Sequence, residues 1–357
     1  MKNIIKTLVV MLTSISLFGS ANAGELTVNG TAKATYNILS GKTNTGKGLG
    51  ITNELNFTAS GELDNGYTWS YSMELDPDAV SSGSNGTAEN DDSKLTVTAP
   101  WGTVGVFMSE GGLDVEDAAS QSVYARPTDS GDPSSGTGDN YTIDSYNNVQ
   151  FHTAADMLPF GIVGKVAYAP DLDSDKNSGN AKGNTITEST TSMGRSATEI
   201  QVSAAPIDGL KIGASYIDFD GAGINGTKNN QNPESGAYYA TYATGPFSIG
   251  YSKAYKAPLV ADGSLSSTTA VDYYEQTNMS VAYAATDDLS VSYEKEEDQK
   301  NMQRDATADV EQESSSIQVA YTMGGMTLAV AHGSYDNVGY VDGDSVDQML
   351  FAVTMAF

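Results

Sequence analysis

From Glu25 onward the chain keeps a two-residue rhythm that only an extended strand converts into two distinct faces. Leu26, Val28, Ala32, Ala34, Tyr36 and Ile38 fall on one parity, and Glu25, Thr27, Asn29, Thr31, Lys33, Thr35 and Asn37 on the other. Successive residues of a strand point to opposite sides, so this pattern separates an apolar face from a polar one. Strands of water-soluble proteins usually run about 5 or 6 residues, whereas a tilted strand crossing a bilayer needs roughly 9 to 11. The first segment has the longer length. Segments of the same kind recur as far as Phe357, joined by connections that are short and long in turn. This predicts an all-β chain folded as a transmembrane antiparallel β-barrel.

The second segment, Ile51 to Leu63, carries Ile51, Asn53, Leu55, Phe57, Ala59 and Leu63 on one face and Thr52, Glu54, Asn56, Thr58, Ser60 and Glu62 on the other. Asp64-Asn65-Gly66 then predicts a tight turn, since Asn-Gly accepts positive φ. The third segment places Tyr67, Trp69, Tyr71, Met73 and Leu75 on its apolar parity. Further short connections are predicted at 100–103, 155–160, 206–209, 245–246, 286–288 and 324–325. Long ones are predicted at 40–50, 76–92, 109–146, 171–198, 218–235, 253–273, 295–314 and 333–345. About seven short and eight long connections imply about sixteen strands, with both termini on the side of the short turns. Tyr67, Trp69, Trp101, Phe160, Phe247, Tyr283, Tyr321 and Phe357 lie beside short connections or the terminus, and Tyr36, Tyr168, Tyr216, Tyr251 and Tyr293 beside long ones. Two aromatic groups at opposite strand ends are what two interfacial girdles require.

Composition narrows the setting. Lys2 and Lys6, the apolar run from Leu8 to Phe18 and Ala21-Asn22-Ala23 read as a secretory signal peptide over 1–23, leaving 24–357 for the barrel. Its removal would leave 334 residues and move the formal charge from −27 to −29. That acidity argues against nucleic acid and anionic membrane surfaces as partners. There is no cysteine, which excludes disulfides, thiolate chemistry and Cys-ligated metal. The mean hydropathy of −0.30 fits a membrane barrel because half of each strand faces water.

Four stretches carry a resemblance: Gly61-Glu62-Leu63-Asp64-Asn65-Gly66-Tyr67-Thr68-Trp69, Trp101-Gly102-Thr103-Val104-Gly105-Val106, Tyr146-Asn147-Asn148-Val149-Gln150-Phe151, and the final strand from Gln348 to Phe357. In this order and spacing the chain resembles the general bacterial, Gram-negative outer-membrane porins of the sixteen-stranded, trimeric kind. The resemblance implies a third long loop folded into the pore, a homotrimer, and a terminal Phe357 read by the outer-membrane assembly machinery. It also implies outer-membrane lipid and lipopolysaccharide as surroundings. The loop from Ser109 to Tyr146 contains Glu110, Asp114, Glu116, Asp117 and Arg126, the candidates for one side of a constriction. Lys33, Glu54, Lys94, His152, Lys165 and Lys211 lie on the polar parity of strands and are expected to line the pore, since a charge at mid-membrane on the lipid side costs about 2–4 kcal/mol. The function implied is passive diffusion of ions and small hydrophilic solutes, with weak cation selectivity from the excess of acid.

Enzymatic chemistry finds little support. His152 and His332 are the only histidines, and no serine stands in a G-x-S-x-G setting. Asp171 to Asn177 has the alternating acids of a calcium loop but lacks the glycine and closing glutamate, so a solvated loop is expected, with no metal and no cofactor. Acidity and the absence of cysteine would equally suit a secreted β-rich adhesin or surface-layer protein, the alternative from another class.

Overall fold

The computed structural model describes residues 24–42, 45–76, 89–108, 113, 115, 117–129, 141–170, 172, 196–221, 229–261, 270–303 and 308–357. The expected signal peptide and calcium-like loop, Leu172 apart, lie outside them. The first strands are β1 (Glu25–Gly41), β2 (Gly46–Glu62), β3 (Thr68–Asp76), β4 (Glu89–Ala99), β5 (Gly102–Met108) and β6 (Asn148–Thr153). There follow β7 (Val163–Ala169), β8 (Ser196–Ile207), β9 (Leu210–Asp220), β10 (Asn229–Gln231), β11 (Glu234–Thr244) and β12 (Phe247–Ala257). The chain ends with β13 (Val260–Ala261), β14 (Val271–Ala284), β15 (Leu289–Met302), β16 (Val310–Met323), β17 (Met326–Asp336) and β18 (Ser345–Ala356).

Sixteen of these strands form one closed antiparallel barrel, each paired with its neighbours in chain order and β18 returning to β1. Closure is tight at the seam. The Gly30 amide donates to the Phe357 carbonyl at 2.9 Å, and the Phe357 amide returns a bond to the Gly30 carbonyl at 3.0 Å. The remaining pair, β10 with β13, is a small separate sheet formed by two of the long connections. The Gln231 side chain ties it down, donating to the carbonyls of Pro258 and Asp272 at 2.7 Å each.

The predicted alternation becomes an outside and an inside. On β16, Ile317, Val319 and Tyr321 are exposed, while Gln312, Ser314, Ser316 and Gln318 are buried. Polar residues inside and apolar residues outside are the reverse of a water-soluble protein. An exposed apolar belt around a whole molecule is a surface that a secreted soluble protein would cover. At the short-turn end, Phe160, Phe247, Tyr283, Tyr321 and Phe357 stand exposed, with Phe247 and Tyr283 in ring contact at 4.7 Å. Tyr36, Tyr216, Tyr251 and Tyr293 are exposed toward the other end.

The strand number agrees with the sequence reading, but the long connections are shorter than predicted. The ladder of β15 and β16 continues to Met302 and resumes at Val310, where a connection over 295–314 was expected. Likewise β1 reaches Gly41 and β2 starts at Gly46, β12 runs to Ala257, and β17 to Asp336. The cause is that apolar alternation stops where the lipid stops, whereas backbone pairing has no reason to. Above the membrane both faces of a strand meet water, and the outward positions turn polar, as Lys295 and Glu297 do.

Val330 lies outward near the middle of β17. Val330→Arg is expected to lower the unfolding free energy of the detergent- or lipid-folded protein by about 2–4 kcal/mol. Val330→Leu should stay within about 0.5 kcal/mol, and denaturant titration followed by tryptophan fluorescence measures both.

Candidate functional site

One face can be followed through the register of successive strands. Thr98 pairs with Thr103, Thr103 with His152, His152 with Lys165, Lys165 with Gln201 and Gln201 with Ser215. Farther round, Ser252 pairs with Asn278, Asn278 with Glu296, Glu296 with Ser314 and Ser314 with Tyr335. Every one of these positions has the parity opposite to the exposed apolar belt. Along these rows the inner wall presents amides, hydroxyls and charges.

The predicted pore residues take the following places. Lys33 holds its ammonium 5.9 Å from the centre of the Tyr124 ring. Glu54 pairs in register with Thr31 on the same face and is exposed. Lys94 lines a cavity of about 340 Å³ with Asn29, Asn56, Ser72 and Glu74. His152 makes a 2.7 Å hydrogen bond to the side-chain oxygen of Gln150, with the Phe107 ring 6.0 Å away. Lys211 borders a larger cavity of about 800 Å³, together with Gln121, Tyr239 and Thr241. Asp117 opens the 3-10 turn Asp117–Ala119, but its side chain, like Glu110, Asp114 and Glu116, lies outside the described residues.

Arg126 has a different setting from the other bases. It is 5% exposed, and its Nε donates to Glu296 Oε1 at 2.8 Å. It belongs to a set of bonds between the β5–β6 connection and strands on the far side of the ring. Ser120 donates to Glu294 at 2.6 Å, the Val123 amide to Ser292 at 3.0 Å, and the Tyr124 amide to Gln318 at 2.9 Å. Tyr335 donates its hydroxyl to the Pro127 carbonyl at 2.9 Å. Nearer its return to β6, the Ile143 amide donates to Glu199 at 2.8 Å. Asn278 donates to both Glu294 and Glu296 from its single amide group.

Apolar contacts run beside this polar seam. Leu113 and Ile143 are fully buried against Ala167, Ala197, Ile217 and Phe219 of the wall, and each contributes roughly 1.5–3 kcal/mol by leaving water. Val123 and Tyr124 pack on Ala329, Ala331 and Leu350. Alanines at those inward positions leave room for the connection to lie close. Burial also pushes the Tyr124 and Tyr146 phenols up. Tyr141 is driven up to about 12, mainly by burial and then by the nearby Tyr146 and Tyr274.

The sequence reading missed Glu294, Glu296 and Asp298, which stand at alternate inward positions of β15. The stretch Glu294-Lys295-Glu296-Glu297-Asp298 has charge on both parities, so it reads as a loop. Counting parity onward from Val291 and Tyr293 is the signal that places them inside. Glu199, Lys256 and Lys300 were missed for the same reason, lying in or next to predicted connections.

A family model for Gram-negative porins matches residues 8–356. The chain belongs to the Gram-negative porins. Among solved porin-like structures, OmpF of Salmonella typhi in complex with daunomycin superposes with a TM-score of 0.65 at 12% identity, covering 94% of this chain and 98% of that one. A loop L8 deletion mutant of OmpT from Vibrio cholerae gives 0.62 at 14% identity, covering 94% and 100%. The outer membrane channel DcaP of Acinetobacter baumannii gives 0.62 at 13% identity, covering 96% and 100%. At such identities the likeness is one of fold. No curated protein matches the sequence.

In this porin, Glu296→Ala removes the buried carboxylate that accepts from Arg126 Nε and Asn278, and a loss of about 1–3 kcal/mol is expected in denaturant unfolding. Tyr141 gives a pH signature. A phenol raised from 10.0 to about 12 in the folded state favours folding fully below pH 10, and that contribution disappears as pH rises through about 12. Wild type should therefore lose stability relative to Tyr141→Phe across that window, as alkaline unfolding curves would record.

Proposed function

We propose that this porin is an outer-membrane diffusion channel: a water-filled pore for passive movement of ions and small hydrophilic solutes, with no reaction and no cofactor. The observation that carries it is the closed ring with an exposed apolar outer surface and an inner wall whose amides, hydroxyls and charges recur from strand to strand, with apolar wall residues gathered where the β5–β6 connection packs. In this reading residues 1–23 are a cleaved signal peptide, residues 24–357 form the mature barrel, and Phe357 marks the chain for the assembly machinery. The barrel sits among outer-membrane lipid and lipopolysaccharide as a homotrimer.

The β5–β6 connection is read as the constriction. Its partners on β14–β17 stand half-way round the ring from β5, which supports a path across the lumen. Lys33, Lys94, His152, Lys165 and Lys211 lie along β1 to β9, whereas Glu294, Glu296 and Asp298 on β15 opposite are buried, Glu296 paired with Arg126 of the connection. Charged and polar groups facing the water path favour polar solutes over apolar ones. With 45 acidic residues against 18 basic ones, cations should pass more readily than anions.

Single-channel recording from purified protein in a planar bilayer tests this. Stepwise conductance in groups of three is expected, with a reversal potential on the cation side under a salt gradient. A correctly inserted protein that produced no steps would end the channel reading, and an anion-side potential would end the selectivity assignment alone.

A further inference from the structure

Gly250 of β12, Ser280 of β14 and Glu294 of β15 are consecutive register partners on the inward face. The 3-10 turn that ends at Ala119 rests on this row. A Cβ added at Gly250 would lie 1.7 Å from the Ala119 carbonyl oxygen and 2.8 Å from its carbon, far inside any contact that real atoms make. Ala119 itself is fully buried. One strand over, the Ser280 hydroxyl donates to the same Ala119 oxygen at 2.9 Å and accepts from the Gln121 amide at 3.1 Å. One strand further, Glu294 accepts from Ser120 at 2.6 Å.

The row thus combines three chemistries: an absent side chain that lets backbone meet backbone, a hydroxyl that both donates and accepts, and a carboxylate that receives. Three successive connection residues are fixed by three successive strands. Glycine elsewhere on a strand weakens it without return, since it packs nothing and costs entropy on folding. At Gly250 the missing Cβ is the space that the connection occupies.

We infer that Gly250 and Ser280 are positioning residues that set the aperture of the channel, Gly250 by how far outward the connection can lie and Ser280 by holding it there. This rests on the reading that the β5–β6 connection narrows the lumen. A Cβ at Gly250 must push the Ala119 carbonyl toward the pore axis until ordinary contact is restored, which makes the pore smaller. Loss of the Ser280 hydroxyl adds no bulk but frees the connection from two hydrogen bonds that hold it on the wall, so it can move only toward the axis and the width of the path fluctuates more. Added bulk at Gly250 gives a steady narrowing, whereas a residue that merely supported the barrel would change neither width nor noise.

The test compares wild type, Gly250→Ala and Ser280→Ala for single-channel conductance and for the size cut-off to neutral polyethylene glycols. Shift in gel mobility on boiling reports whether each variant has assembled. Expected are a conductance lower on the order of 1.5-fold and a smaller cut-off for Gly250→Ala, as follows from a narrower path. For Ser280→Ala, conductance and cut-off should not exceed wild type, and the open-channel current should be noisier. A Gly250→Ala channel as wide as wild type, or a Ser280→Ala channel that is wider than wild type or as quiet, overturns the inference. If Gly250→Ala fails to assemble, Ser280→Ala decides alone: a noisier channel no wider than wild type supports the inference, and a wider or equally quiet one overturns it. Absence of conductance from wild type would strike the channel reading instead, so the two failures are distinguishable.

Discussion

In hydrocarbon there is no water to satisfy a peptide group, so each N–H and C=O of a spanning strand needs a partner in a neighbouring strand. An open sheet leaves two edges without one. The bonds between Gly30 and Phe357 and the ladder of β1 with β18 remove those edges. Everything else follows from that closure. A closed sheet has one outside and one inside, so each parity of a strand is committed to one of them along the span. A one-residue slip anywhere would send a whole strand's polar residues into lipid.

How much of this the residues declare depends on the solvent at each height. Through the lipid the outward positions must be apolar, so Leu26, Val28, Phe57 or Val319 announce the strand, its phase and the strand count. Above the lipid the requirement lapses, and β15 beyond Tyr293 continues as a strand that looks like a loop. Lys33, Lys94, His152, Lys165 and Lys211 were placed by parity within the legible zone. Glu294, Glu296 and Asp298 sit just past it. The destination of the β5–β6 connection was illegible for a second reason. Its partners Ser280, Ser292, Gln318 and Tyr335 lie more than 150 residues away along the chain, and no local pattern records which polar wall residue receives which amide.

The resemblance of Arg126 to a constriction charge shows the limit of reading roles from residue type. Five donors and a fixed positive charge suit a pore lining and a buried anchor equally well. What separates them is burial, and 5% exposure with a carboxylate at 2.8 Å assigns Arg126 to the seam between connection and wall. Desolvating such a pair is costly, which is tolerable where several hydrogen bonds share it. Asn278 supplies one to Glu296 here, and Ser120 donates to the neighbouring Glu294, so these acids of β15 are partners of the connection and not a bare cation-attracting strip.

The prolonged ladder of β14 to β16 has a further consequence. Lys295 stands between Glu297 and Glu313 at 2.7 and 2.8 Å, on backbone paired strand to strand. The backbone positions that carry these three charges are fixed by strand pairing, so the barrel wall itself, and not only its connections, carries charge beyond the apolar belt.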